Sequence, residues 1–165
     1  METPEGLLAR LDAAGMATRL VRHAAVFTVA ESHALRGGLP GRHAKNLFLR
    51  EVKADLPCLA VLEEGRQVSV NALARAAGWG KVAMADAGAL QAMLGVTPGS
   101  VTPFGLVNAA PGSVRVALDA ALAEAEDLVW FHPLVNTASI GLKPADLLGF
   151  LHGLGHAVGI LRLPD

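Results

Sequence analysis

The chain has 165 residues, 52% of them hydrophobic and 18% charged, with a formal net charge of −1. That length suits one domain spanning 1–165, with a core large enough to hold without disulfides or metal. The composition excludes a disordered chain, the charge balance excludes a broadly basic nucleic-acid coat protein, and the lone cysteine, Cys58, excludes a disulfide framework within the chain.

In chain order, Thr3 can cap a helix to about Ala14, with Pro4 at its first position, Leu7, Leu8 and Leu11 on one face and Gly15 to end it. The N-terminus, Met1-Glu-Thr-Pro-Glu5, lacks the basic-then-apolar pattern of a leader. No apolar run approaches the ~20 residues that span a bilayer, so no membrane partner is expected and cytoplasm is the expected location. A strand is expected over Arg19 to His23. Thr28-Val-Ala-Glu31 is a capping box that opens a helix ending at Gly37-Gly38.

Pro40-Gly41 reads as a turn. Lys45 to Val52 reads as a strand with Lys45, Leu47 and Leu49 on one face and Asn46 and Phe48 on the other. Lys53 to Asp55 turns the chain into a buried strand, Leu56 to Leu62, where Cys58 is a packed core thiol. A hairpin turn over Glu63 to Arg66 leads to a strand at Gln67 to Val70, and Asn71 can cap a short helix ending at Gly78. Lys81 to Ala85 is a strand, and Asp86 caps a helix ending at Gly95.

The stretch Val96 to Gly105 carries two prolines and two glycines and reads as an irregular loop. Short strands are expected at Leu106 to Asn108, Ser113 to Leu118, Leu128 to Phe131 and Val135 to Ile140, and a helix from Pro144 to about Leu151. Strands and helices alternate without a regular βαβ repeat. The fold class is α/β: a compact single domain with a mixed β-sheet flanked by helices.

Several chemistries find no support. Gly37-Gly-Leu-Pro-Gly41 and Gly78-Trp-Gly-Lys81 lack phosphate-loop spacing. No Gly-x-Ser-x-Gly elbow is present. His152 and His156 are four apart, but Gly153 and Gly155 lie between them and no further ligands cluster nearby, so no metal and no cofactor is expected.

Three features remain open. From Arg36 to Lys53 there are five basic side chains against one acid, Glu51. This is either a phosphate-binding patch or a solvated strand edge protected by its charges. Lys45, beside an apolar face, either snorkels to water or holds its ammonium over a bound anion at a pocket mouth. His132 sits where Pro133 must end a strand. It is either a packed histidine or one that binds and moves protons.

Lys45-Asn-Leu-Phe-Leu49, Thr102-Pro-Phe-Gly-Leu106 and Phe131-His-Pro-Leu-Val-Asn-Thr137 occur in that order, with Val26-Phe-Thr-Val-Ala-Glu31 before them. Together they resemble the freestanding prolyl-tRNA editing domains, the YbaK-like or prolyl-tRNA synthetase-associated family, over about residues 5 to 152. One small departure is Ala24-Ala25, where a proline often precedes the Val-Phe-Thr stretch. The resemblance implies a mixed sheet flanked by helices and an aminoacyl-tRNA deacylase. Asn46 after the lysine is similar to the branch that removes alanine from tRNA for proline, and unlike the cysteine-removing branch.

The resemblance further implies Lys45, Asn46 and His132 as catalytic residues, and Gly99, Ser100, Val101, Thr102 and Pro103 as the loop that binds the substrate. Arg42, His43 and Arg50 are expected to contact the acceptor end of mischarged tRNA for proline, with prolyl-tRNA synthetase as a further partner. The rival readings are a deacylase for cysteinyl- or another aminoacyl-tRNA, a non-catalytic tRNA- or synthetase-binding module, and a DNA-binding protein. The net charge of −1 and the lack of a helix-turn-helix signature weigh against the last, so no specific DNA binding is expected.

Overall fold

A computed structural model describes residues 1–25 and 39–164. The expected capping box at Thr28 and Glu31, the helix that follows it and Arg36 lie outside the described residues. Helix α1 (Pro4–Ala13) is capped as expected, with the Thr3 side chain accepting from the Gly6 amide. Strand β1 (Arg19–Arg22) follows, then β2 (Arg42–Glu51) and β3 (Leu56–Glu63). Helix α2 (Val70–Ala77), β4 (Val82–Met84) and α3 (Ala87–Leu94) come next. Two 3-10 helices, Pro98–Ser100 and Pro103–Asn108, occupy the expected irregular stretch. The chain ends with β5 (Arg115–Asp119), α4 (Ala120–Ala123), β6 (Val129–Phe131), β7 (Ala138–Leu142), α5 (Pro144–Gly153) and β8 (Val158–Leu161).

The strands form one mixed sheet in the order β1-β7-β6-β2-β3-β5-β8, with β4 also paired to β2. The expected mixed sheet flanked by helices is what the chain forms. Strand β2 is its pivot. One edge runs antiparallel to β3 from Ala44↔Glu63 to Glu51↔Leu56. The other edge is divided: β6 runs parallel to it at Arg42 and His43, and β4 runs antiparallel to it at Leu49 to Glu51. Between these two partners lies a gap, where no described strand pairs with β2.

Side-chain alternation along β2 feeds two cores. Phe48 packs with Leu59 and Val61 against α1, α3, the second 3-10 helix and α5, through Leu7, Leu94, Phe104 and Phe150 among others. Phe104 is fully buried and meets Phe131 and Phe150 edge-on, both at 6.0 Å between ring centroids. On the opposite face Leu49, Cys58, Ala60 and Leu62 pack under α2, with Leu47 beside them. Cys58 is a free, buried thiol there, and burial pushes its pKa up.

Five expectations are corrected. No strand forms at Gln67 to Val70; Val70 opens α2, and Ser69 rather than Asn71 caps it, accepting from the Ala72 amide at 3.1 Å. That frame turns Val70, Leu73, Ala74 and Ala77 onto the second core. Leu106 to Asn108 belongs to a 3-10 helix because Pro103 presets its first turn and Thr102 Oγ1 accepts from the Phe104 amide. Strand β7 begins at Ala138, three residues later than expected, because a turn follows Pro133. Strand β2 begins at Arg42, earlier than Lys45, because β6 supplies a partner there.

Candidate functional site

Beside β2, at Asn46, two of the named motifs touch: the strand motif and the loop before Thr102. Backbone groups of successive strand residues point to opposite edges. His43 O accepts from Glu64 N on the β3 side, whereas Arg42 N donates to Leu128 O and Phe48 O accepts from Ala85 N on the other. The backbone of Asn46 therefore faces the gap. Its side chain reaches the loop between the two 3-10 helices, donating from Nδ2 to the Val101 carbonyl at 3.1 Å. Since a carbonyl only accepts, the amide nitrogen must be on that side. Asn46 Oδ1 is thereby left facing elsewhere, buried and without a hydrogen-bond partner among the described residues.

The loop is itself tightly held. Ser100 N donates to Thr97 O, Gly105 N donates to Thr102 O, and Ser100 and Thr102 are buried. A Cβ on Gly105 would lie 2.8 Å from Leu94 Cβ and 3.0 Å from Leu94 O, so only glycine lets the second 3-10 helix close on the end of α3.

Lys45 points to the opposite face from Asn46, the face it shares with Leu47 and Leu49 as expected. Its Nζ donates to the Arg66 carbonyl in the loop between β3 and α2. His132 follows β6. The parallel pairing of β6 with β2 covers Arg42↔Val129 and His43↔Trp130, and His132 lies two residues beyond it. The buried Leu134, two residues on, adopts φ 72°, a left-handed conformation unfavourable for a branched side chain. Such strain often accompanies a functional turn.

The tautomer of His132 follows from its bond to Ala138 O at 3.0 Å, which Nδ1 must donate. Nε2 then carries the lone pair. Burial pushes the His132 pKa below the usual imidazole range, the Ala138 bond opposes this, and nearby His23 adds to the lowering. His23 was not singled out from the sequence. Its ring lies 6.2 Å from that of His132, with Nδ1 on Ala24 O at 2.8 Å and Nε2 on Ser139 Oγ at 2.9 Å.

The three expected tRNA contacts are spread along β2. Arg42 and Arg50 are exposed near its two ends, and Arg50 pairs with Asp55 at 3.2 Å. His43 is engaged inside the fold, stacked on Trp130 at 6.5 Å and bonded through Nε2 to Leu39 O at 2.8 Å. Trp130 Nε1 in turn donates to Pro40 O at 2.9 Å, which pins the Pro40-Gly41 turn. Arg66 and Asp119 also escaped the sequence reading. They form an ion pair with Nε–Oδ2 at 2.9 Å, and Asp119 is fully buried. The only sequence signal was an acid closing an apolar strand.

Comparison with known proteins places this geometry. The family model described as "Aminoacyl-tRNA editing domain" matches residues 23–150. The chain is 38% identical over 156 residues to a Bos taurus protein called prolyl-tRNA synthetase associated domain-containing protein 1, covering 93% of this chain and 91% of the relative. It is 28% identical over 163 residues to the prolyl-tRNA editing protein ProX of Acetoanaerobium sticklandii, covering 99% of each. A solved structure of a candidate trans-editing enzyme for prolyl tRNA synthetase shares the fold, with a TM-score of 0.72, 20% identity and 99% of each chain covered. On the family model and these relatives, the chain belongs to the aminoacyl-tRNA editing domain family, in its YbaK-like, prolyl-tRNA editing group.

Proposed function

We propose that the protein is a trans-editing hydrolase that removes alanine from mischarged tRNA for proline. The observation that carries this reading is Asn46 Oδ1, a buried acceptor without a partner among the described residues. An unsatisfied buried acceptor costs about 1–3 kcal/mol, and a ligand with a donor to offer removes that cost. An aminoacyl ester brings two kinds of donor, the α-ammonium group and the 2′-hydroxyl of the terminal ribose. Asn46 orients the ester through one of them.

The remaining roles follow from chemistry. Lys45 holds the phosphate of the terminal nucleotide or the polarised carbonyl. The amides of Val101 and Thr102, in the Gly99 to Pro103 loop, steady the carbonyl oxygen as charge develops. His132, kept neutral by burial, accepts through Nε2 and orients the attacking water. Water adds to the ester carbon, the bond to the 3′ oxygen breaks, and that oxygen leaves with a proton. The ester is already activated, so neither metal nor covalent nucleophile is required.

Selection rests on size. Synthetase pockets separate amino acids that differ by a methylene or so by only ~10–200-fold, and a second site that admits only the smaller one supplies the rest. Arg42 and Arg50 on exposed positions of β2 contact the acceptor stem, with His43 between them. The name of the animal relatives supports prolyl-tRNA synthetase as a partner, and a role in translation supports the cytoplasm as the location.

The test is deacylation of alanyl-, cysteinyl- and seryl-tRNA for proline by wild type and Lys45→Ala. The alanine ester should be lost fastest, and Lys45→Ala should abolish most of that rate with the fold intact. Faster loss of the cysteine ester would overturn the alanine assignment. Retention of tRNA without accelerated ester loss would make the protein a binding module.

A further inference from the structure

The Lys45 ammonium takes its position from the Arg66 carbonyl. Arg66 lies in a stretch, 66–69, without helix or strand of its own. A carbonyl in such a loop locates a lysine only if the loop is stiff. The side chain of the same residue makes it so. Arg66 Nε and Nη2 donate to Asp119 Oδ2 and Oδ1 at 2.9 and 3.1 Å, a two-pronged pairing that fixes orientation as well as distance. Nη1 reaches the carbonyls of Leu163 at 3.3 Å and Pro164 at 3.2 Å.

Asp119 is fully buried and held from two further directions. The Glu63 amide donates to Oδ2 at 2.9 Å and the Ala121 amide to Oδ1 at 3.0 Å. Burial raises its pKa, but the Arg66 bond and these two amides more than offset that, so the carboxylate stays ionised. One buried charge thus ties together the end of β3, the Arg66 loop, the β5–α4 junction and, through the guanidinium, the C-terminal stretch. None of these groups has a part in the hydrolysis described above.

We propose that Arg66 and Asp119 are positioning residues for Lys45: their ion pair fixes the carbonyl that sets where the ammonium stands. The proposal rests on the reading of Lys45 as the group that holds the substrate. Its physical basis is the sensitivity of catalysis to placement, where a shift of about 1 Å can cost on the order of 10²-fold in rate. Neither Arg66 nor Asp119 needs to touch the substrate for this.

A double-mutant cycle read by two measurements tests it. The first is single-turnover deacylation of alanyl-tRNA for proline by wild type, Lys45→Ala, Arg66→Ala and the double variant. The second is the rate at which an amine-reactive acylating reagent labels Lys45, read by mass spectrometry with the exposed Lys53, Lys81 and Lys143 as internal controls. Arg66→Ala should lower the rate about 10–100-fold when Lys45 is present and less than about 2-fold when it is not. Labelling of Lys45 should change several-fold while the three controls stay unchanged.

Equal losses in both backgrounds would show a structural role that bypasses Lys45 and would overturn the proposal, as would a wild-type rate in Arg66→Ala. Should Arg66→Ala fail to fold because it strands a buried carboxylate, the paired variant Arg66→Gln with Asp119→Asn removes both charges and is put through the same cycle. If wild type deacylates no aminoacyl-tRNA, the functional reading fails, and the labelling result alone decides the positioning claim. Unchanged Lys45 labelling then overturns it.

Discussion

Replacing Asn46 by aspartate exchanges one amino group for one oxygen, and the structure dictates the consequence. The atom 3.1 Å from the Val101 carbonyl must be a donor. An ionised carboxylate offers none and would face that carbonyl in a place where the existing Oδ1 already lacks a partner among the described residues. Only the protonated acid restores the bond. The introduced carboxyl therefore has a pKa above the ordinary ~3.9. A carboxyl with a raised folded-state pKa leaves stability untouched below about pH 4 and lowers it as pH climbs towards the folded pKa. Buried acids can rise by up to 3–5; a rise of about 2 costs about 2.7 kcal/mol by pH 7. With a urea slope of about 2 kcal/mol per molar, the unfolding midpoint of Asn46→Asp should drop by about 1.4 M relative to wild type between pH 4 and pH 7. Tryptophan fluorescence through urea titrations at several pH values measures this directly. Asn46→Leu is the control: it loses the Val101 bond and the orphan oxygen together, so its stability should stay within about 1 kcal/mol of wild type at every pH. A pH-independent deficit in Asn46→Asp would refute the reasoning, because the carboxyl pKa would be unshifted, and a gain at pH 7 would refute it by placing a donor against Oδ1.

Two further outcomes are expected. Because burial, aided by His23, holds the His132 pKa below the imidazole norm of about 6.5, the single-turnover rate should stay level down to about pH 6.5 and fall only below it. His132→Ala should lower the plateau about 10²-fold and remove that acid limb, whereas an acid limb centred above about pH 6.5 would contradict the assignment. Gly41 has φ 128°, and a Cβ there would lie 2.3 Å from Leu128 O, the carbonyl that binds the Arg42 amide. Gly41→Ala should cost about 1–3 kcal/mol and lower the melting temperature by about 3–9 °C, a shift that calorimetry resolves.

The sequence foretold what local rules control. Thr3, Asp86 and Gly95 mark helix ends because side-chain caps and left-handed glycines act over three or four residues. The alternation that set Lys45 with Leu47 and opposed it to Asn46 also held, being a property of any extended strand. What stayed hidden depends on distant partners. Ser69 displaced Asn71 as cap because the register of α2 is set by the core it meets. Strand β8 escaped notice because it exists through its parallel pairing with β5, beyond the reach of local pattern. The contact of Asn46 with Val101 spans 55 residues, and that of Arg66 with Asp119 spans 53, so neither could be read from neighbours in the chain. The motif resemblance pointed to Lys45, Asn46 and His132, but it said nothing of the ion pair behind the lysine.

The division of the far edge of β2 between two partners also bears on the order of assembly. Its antiparallel pairing with β3 closes a turn of only a few residues and costs little chain entropy. Its other neighbours arrive from far along the chain: Trp130 bonds Pro40 across 90 residues, and the Val101 carbonyl joins Asn46 across 55. A β2–β3 hairpin can thus form early while carrying both Lys45 and Asn46, yet it holds only half of a site. The other half is supplied by the slow, non-local closures that complete the sheet. The proposed deacylation would therefore be a property of the finished fold, and a nascent chain released before β7 has docked would carry its lysine and asparagine idle.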